Sequence, residues 1–181
     1  MWLPGMEPDA ITDGHDGSGD CWFTPPAVLD AVSLVLGAWG DPCSDPRSPA
    51  NSVAAWSRDY RRDGDQLACG WPAGSVFCNP PYSDASSWIE RCAAEARGGR
   101  SVIMLIPFRA EGVAWHRFIW PTAAVVLPRG RIKFVATDGQ TYGAAQVGTA
   151  FVCWGCDAYA LAEALPFAAV VLQTQAAALP W

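Results

Sequence analysis

The sequence predicts a three-layer α/β domain with a mostly parallel sheet, and three observations lead to this prediction. Candidate strands and helices alternate along the chain. The strands are continuous apolar runs, as in Val102–Ile106, which is typical of a sheet covered on both faces. The length of 181 residues, 51% of them hydrophobic, fits one domain with a substantial core. A separate recognition domain of ordinary size is therefore excluded.

The first elements are an arm, a helix and an irregular segment. Residues 1–19 carry acidic residues and glycines without a period, so we expect a flexible arm before a domain over residues 20–181. Thr24-Pro25-Pro26 predicts a helix start with Thr24 as N-cap, and Gly37 is the predicted stop. Residues 38–74 are interrupted by Asp-Pro, Ser-Pro and Asp-Gly, so we predict no regular element there.

The remaining chain alternates more regularly between the two kinds of element. In chain order the patterns predict a strand over 75–78, a helix over 84–97, a strand over 102–106, a short helix over 110–120, strands over 123–127 and 147–154, a helix over 157–165 capped by Asp157, and a last strand or apolar strap over 167–172.

Composition and charge exclude several classes of protein. The net charge of −6 excludes a strongly basic nucleic-acid binder, but not a local basic patch. Cys153 and Cys156 have the spacing of zinc ligands, but no second ligand pair is suitably spaced, so we predict no metal site. No leader pattern is visible, and the uncharged stretch over 164–181 is a poor membrane span, so we expect a cytoplasmic chain without a membrane partner.

The most informative residues are Asn79-Pro80-Pro81-Tyr82, directly after the predicted strand 75–78. From this composition, a chance match to the tetrad is expected in about 3 of 10,000 such sequences. A proline-rich turn that merely ends a strand is the alternative. The position of the tetrad favours a ligand-binding site, because α/β proteins bind ligands in the crevice at the carboxyl ends of sheet strands.

The tetrad resembles the amine-methylating motif of S-adenosylmethionine-dependent methyltransferases, and its chemistry fits that role. An exocyclic amine on a heteroaromatic ring is a poor nucleophile, because its lone pair is delocalised into the ring. The Asn79 side-chain oxygen and the Pro80 carbonyl can accept the amine hydrogens and aim the lone pair at the methyl group. Pro80 and Pro81 stiffen the backbone, and Tyr82 offers a flat face to a flipped base.

The wider pattern resembles the phage-type DNA N-6-adenine methyltransferase family, the small Dam-like enzymes, over residues 20 to about 154. The matching segments, in order, are Asp20-x-Trp22-Phe23-Thr24-Pro25, Asp41-Pro42-Cys43, Asp65-x-Leu67, Asn79 to Tyr82, Leu105-Ile106-Pro107 and Arg129-Gly130-Arg131-Ile132-Lys133-Phe134. The resemblance implies a Rossmann-like class I methyltransferase fold. It also implies methyl transfer from S-adenosylmethionine to the N-6 amine of adenine, flipped out of double-stranded DNA. Residues 157–181 exceed the family core, and we expect them to pack on the domain as a C-terminal extension.

The resemblance also implies which residues hold the methionine end and the ribose of the cofactor. Thr24 and Pro25 match the segment at the methionine end, where helix N-terminal amides favour a carboxylate. Asp41-Pro42-Cys43 match the first cofactor motif, in which Asp41 accepts from the cofactor's amino or ribose groups.

The cofactor's adenine is assigned to a third segment. Asp65 matches the acidic residue that accepts from the adenine amine, and Leu67 would pack on the ring. Asp63 is the competing candidate for the same role, and a solvated Asp-Gly turn is the structural alternative.

The segment Arg129–Phe134 is the densest basic cluster of this acidic chain. We expect Arg129, Arg131 and Lys133 to contact DNA phosphates, with Phe134 near the flipped base or under the loop and Arg109 widening the patch. The alternative is a hairpin with solvated charges.

Two other functions stay open at this level. The same tetrad serves enzymes that methylate RNA guanine or protein glutamine. The missing Gly-x-Gly turn of the first cofactor motif would also fit a non-catalytic nucleic-acid-binding protein with a decayed cofactor site.

Overall fold

The computed structural model describes residues 22–135, 141–144 and 148–173, so the predicted arm lies outside the described residues. The helices are α1 (Pro26–Leu36), α2 (Ala85–Arg97) and α3 (Ala158–Ala164), with a π-helix at Trp115–Ile119 and 3-10 turns at Pro49–Ser52 and Tyr82–Asp84. The strands are β1 (Trp39–Ser44), β2 (Trp56–Asp59), β3 (Ser75–Cys78), β4 (Val102–Pro107), β5 (Ala124–Pro128), β6 (Lys133–Val135), β7 (Thr141–Ala144), β8 (Thr149–Trp154) and β9 (Ala169–Gln173). No helix in these ranges is long and apolar enough to span a bilayer.

Seven strands form one mixed sheet in the order β2-β1-β3-β4-β8-β5-β9. Neighbours among the first four are parallel, whereas β8 is antiparallel to both β4 and β5, and β9 is antiparallel to β5. Five of the seven strands therefore run in one direction. Strands β6 and β7 form a separate antiparallel pair.

Helices lie against both faces of the seven-stranded sheet. Every residue of β4 is buried, and its side chains alternate between two core clusters. Ile103 and Leu105 pack in the cluster that contains α1 and α3, whereas Val102 and Met104 pack in the cluster that contains α2 and the π-helix. The alternation explains why this strand is an uninterrupted apolar run.

The prediction that residues 38–74 are irregular was wrong, because β1 and β2 lie there. β1 is fully buried between β2 and β3 although it contains Asp41 and Pro42. The pairing with β2 shifts register between Asp41 and Ser44, where the proline cannot donate a ladder hydrogen bond. Gly40 admits the Trp56 ring of β2, since a Cβ at this position would stand 1.8 Å from a ring atom.

Capping residues predicted the start of two helices, and the structure bears out one of the two predictions. Asp157 caps α3 as predicted, with its Oδ1 accepting from the backbone N–H groups of Tyr159 and Ala160. The prediction of Thr24 as the N-cap of α1 was wrong: Pro25 is the N-cap, and no side chain caps this end. The Thr24 hydroxyl accepts from a residue of the tetrad instead.

Candidate active site

A cleft opens at the carboxyl ends of β1 and β3. The chain supplies four segments to it: the stretch before α1, the end of β1 with the loop that follows, the residues after β2, and the residues after β3. It is lined by Trp22, Phe23, Thr24, Asp41, Cys43, Ser44, Asp45, Ser48, Ala50, Tyr60, Arg61, Asn79 and Pro81. The crevice at the strand ends predicted from the tetrad's position is thus present, and several predicted residues meet in it.

The Asn79 carboxamide has a fixed orientation in this cleft. Its Nδ2 donates to the main-chain oxygen of Trp22 at 2.8 Å and to Oγ1 of Thr24 at 3.3 Å. The Trp22 oxygen can only accept, so the nitrogen must face it and the side-chain oxygen must face the other way. The Asn79 Oδ1 is buried and has no hydrogen-bond partner in the described chain. A buried acceptor left unpaired costs about 1–3 kcal/mol, which marks a site that awaits a donor.

Asp41 is a buried carboxyl that lines the same cleft as Asn79. Its Oδ1 accepts from the backbone N–H of Cys43 at 3.0 Å and from the Cys43 thiol at 3.4 Å. Burial raises the pKa of Asp41 to about 6, and the Cys43 hydrogen bonds oppose that rise. Burial also raises the pKa of the Cys43 thiol to about 12, so the thiol stays neutral beside the carboxyl. A buried carboxylate of this kind suits a ligand that brings hydrogen-bond donors or positive charge.

An ion-pair network fixes the rim of the cleft where β1 and β2 end. Asp45 accepts from Nε and Nη2 of Arg47 at 2.9 and 2.8 Å and also pairs with Arg61. Arg61 extends the network to Asp59 at the end of β2, through its Nε at 3.2 Å. The Arg47 hydrogen bonds hold the pKa of Asp45 well below its usual range. The loops after the two strands are therefore tied together by charge-assisted hydrogen bonds.

Tyr82, the last residue of the tetrad, belongs to an aromatic group. Its ring meets the buried Phe134 edge to face, with ring centroids 6.4 Å apart, and Phe134 lies 6.1 Å from the Trp22 ring. The Tyr82 hydroxyl is buried without a partner among the described residues, and burial raises its pKa. The Tyr82 ring lines a second cleft that also contains Arg109 and Trp115.

In the predicted basic segment, exposed basic side chains alternate with buried apolar side chains. Arg129, Arg131 and Lys133 are exposed, whereas Ile132 and Phe134 are buried. Lys133–Val135 forms β6 and pairs antiparallel with β7, and the Lys133 side chain is exposed. Exposed basic side chains are compatible both with binding to DNA phosphates and with charges that are merely solvated. The DNA contact therefore stays a prediction.

The residues predicted to hold the cofactor's adenine lie apart from the cleft lining. Asp65 is exposed, and its Oδ1 accepts from the backbone N–H of Leu67 at 2.9 Å. Leu67 packs beside the core cluster on the α2 side of the sheet. The competitor Asp63 accepts from the backbone N–H of Asp59 at 2.8 Å, which closes the turn after β2. A cofactor role for Asp65 and Leu67 stays a prediction.

Sequence reasoning missed several polar residues of the lining, among them Asp45, Tyr60 and Arg61. All three follow β1 or β2, the two strands that were not predicted because their region contains dipeptides typical of turns. The available signal was the spacing of Asp41-Pro42 and Asp45-Pro46, which places two acidic residues near one strand end. Within the described ranges, no group of three or more His, Cys, Asp or Glu side chains could hold a metal ion.

Comparison with known families gives a match that covers most of the chain. The family model "DNA N-6-adenine-methyltransferase (Dam)" matches residues 12–154, which include the cleft, the tetrad and the basic segment. A comparison with curated protein sequences gave no match. The family resemblance inferred from the sequence is confirmed, and the family implies adenine methylation with DNA as substrate. The chain belongs to the DNA N-6-adenine-methyltransferase (Dam) family.

Proposed function

We propose that the chain transfers the methyl group of S-adenosylmethionine to the N-6 amine of an adenine flipped out of double-stranded DNA. The observation that carries the proposal is the Asn79 Oδ1, a buried acceptor without a partner in the described chain, beside a nitrogen that is already engaged. An amine that brings two hydrogens satisfies that oxygen. The preorganised acceptor then stabilises the positive charge that develops on the nitrogen during transfer.

The architecture supports a Rossmann-like class I methyltransferase fold over residues 20–181. Strands β2, β1, β3 and β4 are parallel, helices cover both faces of the sheet, and the cleft lies at the carboxyl ends of β1 and β3. The C-terminal extension contributes α3, which packs against α1, and β9, which extends the sheet beside β5.

The cleft lining fits S-adenosylmethionine. When bound, this cofactor supplies an electrophilic methyl group, and it carries a sulfonium, an ammonium, ribose hydroxyls and a carboxylate. The buried Asp41 would accept from the amino or ribose groups, beside Pro42 and Cys43. The backbone of Thr24 and Pro25, rather than the Thr24 hydroxyl, would face the methionine end at the start of α1, where the positive end of the helix dipole favours a carboxylate.

The tetrad's own residues would activate the target amine. Asn79 Oδ1 and the Pro80 carbonyl would each accept one amine hydrogen, which directs the nitrogen lone pair away from the ring system. The amine would shed its extra proton after transfer, so the scheme requires no general base before it. The Tyr82 ring would stack on the flipped base.

Tyr82 allows a test of stacking against hydrogen bonding. Because its hydroxyl is buried without a described partner, Tyr82→Phe should lower kcat by less than about threefold, while Tyr82→Ala should lower it roughly tenfold or more through lost stacking. Steady-state kinetics on DNA at saturating cofactor measure both variants. A larger loss in Tyr82→Phe than in Tyr82→Ala would contradict the stacking role.

The basic segment allows a test of the DNA surface. The net charge of −6 repels DNA as a whole, so affinity must come from a few local contacts. Arg131→Ala should weaken DNA binding at low salt and reduce the slope of log affinity against log salt by about one, with cofactor affinity unchanged. The matched control is Arg97→Ala, an exposed arginine at the end of α2, which should leave the slope unchanged. An unchanged slope in Arg131→Ala would place the DNA on another face.

The experiment that tests the proposed function is transfer of labelled methyl from S-adenosylmethionine to unmethylated genomic DNA, RNA and a protein extract, each offered alone. We expect label on DNA only. Label on RNA or protein instead would favour a different acceptor amine. DNA binding without cofactor binding by calorimetry would show a decayed cofactor site.

A further inference from the structure

We propose that Thr24, with the main-chain carbonyl of Trp22, is the positioning element of Asn79 and holds its carboxamide in the orientation that turns Oδ1 toward the target amine. The inference rests on the proposed function of Asn79. It gives Thr24 a role other than the cofactor contact predicted from the sequence.

The hydrogen bond to the Trp22 oxygen selects between two orientations of the Asn79 carboxamide, because this oxygen can only accept, and the second bond, to the Thr24 hydroxyl, restrains the carboxamide in the selected orientation. In the observed orientation, the Asn79 Nδ2 donates to Trp22 at 2.8 Å and to Thr24 at 3.3 Å. A carboxamide rotated by half a turn would place its oxygen against the Trp22 oxygen, and it would present N–H groups to an amine that needs acceptors. Only the observed orientation can accept a hydrogen from the target, so whatever biases the rotation also sets the rate.

The Thr24 hydroxyl is available for this role because the helix does not use it. Thr24 is 3% exposed, and α1 takes Pro25 rather than Thr24 as its N-cap. The hydroxyl therefore lies buried beside Asn79 with no capping bond to make. Its separation of 55 residues from Asn79 shows that the contact is made by the tertiary fold.

The segment that carries the two acceptors is itself anchored at two points. Phe23 lies between them and exchanges two backbone hydrogen bonds with Val135 of β6, at 3.1 and 2.9 Å. After Thr24, the Pro25 carbonyl accepts the first hydrogen bonds of α1, from Val28 at 2.9 Å and Leu29 at 3.1 Å. A short segment fixed at two points can hold its acceptors in place, which is what preorganisation requires.

Kinetics of matched variants test the positioning role. Thr24→Val keeps the shape and removes the acceptor, so we expect kcat on DNA to fall about tenfold while the cofactor dissociation constant stays within about twofold. Thr24→Ser restores the hydroxyl and should recover most of that loss. Thr24→Ala removes the same hydroxyl with less bulk and serves if the valine variant does not fold. Thr122→Val, at a threonine that bonds Phe118 and Trp154 away from the cleft, is the control for a general effect of this exchange.

A second readout does not depend on activity. The side-chain NH₂ resonances of Asn79, assigned by their absence in Asn79→Ala, should show slower hydrogen exchange in the wild type and in Thr24→Ser than in Thr24→Val. Identical Asn79 exchange, or identical kcat, in wild type and Thr24→Val would overturn the inference. So would a loss of cofactor affinity that accounts for the whole effect. A wild-type chain that shows the exchange signature but transfers no methyl group would overturn the proposed function and leave the positioning role standing.

Discussion

Asn79→Ala is expected to lower kcat for DNA methylation about 100-fold or more and to leave the affinity for S-adenosylmethionine within about twofold. The alanine removes the unpaired Oδ1, the acceptor that we assign to the target amine. It removes no group that we assign to the cofactor. The effect should therefore fall on the chemical step and not on cofactor binding.

The measurement is single-turnover kinetics at saturating DNA, paired with cofactor calorimetry on the same preparation. Loss of the Nδ2 bonds to Trp22 and Thr24 could also loosen the segment before α1, so thermal melting accompanies both. Turnover near that of the wild type would remove Asn79 from the mechanism. Equal losses of rate and cofactor affinity would place it in the cofactor site instead.

Asp41→Asn is expected to weaken cofactor binding about 30-fold at pH 8 while making the protein more stable. The affinity loss corresponds to roughly 2 kcal/mol for a hydrogen bond to a charged acceptor. In the wild type, affinity should rise as the pH increases through about 6, where Asp41 ionises in the folded chain. In the variant this pH dependence should disappear.

The stability change follows from the direction of the pKa shift of Asp41. Its pKa lies near 6 in the folded chain and near 3.8 in a solvated one, so the folded state binds more protons between these values. The free energy of unfolding should therefore fall as the pH rises from about 4 to about 6, and the carboxylate should cost about 3 kcal/mol above that range. Asparagine keeps an oxygen for the Cys43 N–H and removes the charge, so that cost disappears.

Urea unfolding and cofactor calorimetry across pH 5 to 8 measure both effects of the Asp41 variant. Asp30→Asn changes an exposed carboxylate on α1 and is the control, with stability and binding expected to match the wild type. Wild-type affinity at pH 8 in Asp41→Asn, or lower stability, would contradict the assignment of Asp41 as a buried, destabilising carboxylate that binds the cofactor.

Elements with a strong local pattern could be predicted from the sequence. The continuous apolar run gives β4, and the cap at Asp157 gives α3. β1 could not be predicted in this way, because its sequence contains Asp41 and Pro42. Burial between two neighbouring strands makes it a strand, and that burial is a property of the assembled sheet.

The residues of the candidate site likewise fall into those that a local motif predicts and those that only the tertiary fold brings together. Asn79 was predicted because its motif is contiguous, and Asp41 because it belongs to a matching segment. Asp45 and Arg61 enter the cleft from the ends of strands that were not predicted, so no local signal placed them together. The partner of Thr24 was missed because a helix cap is a local expectation, whereas its actual partner lies 55 residues away.

The most direct test of the central claim is the identity of the methylated atom. Unmethylated DNA is incubated with the chain and methyl-labelled S-adenosylmethionine, digested to nucleosides and separated with mass detection. We predict that all label appears as N-6-methyldeoxyadenosine and that Asn79→Ala abolishes the signal. Label on cytosine, or no label in a chain that binds both DNA and cofactor, would contradict the account.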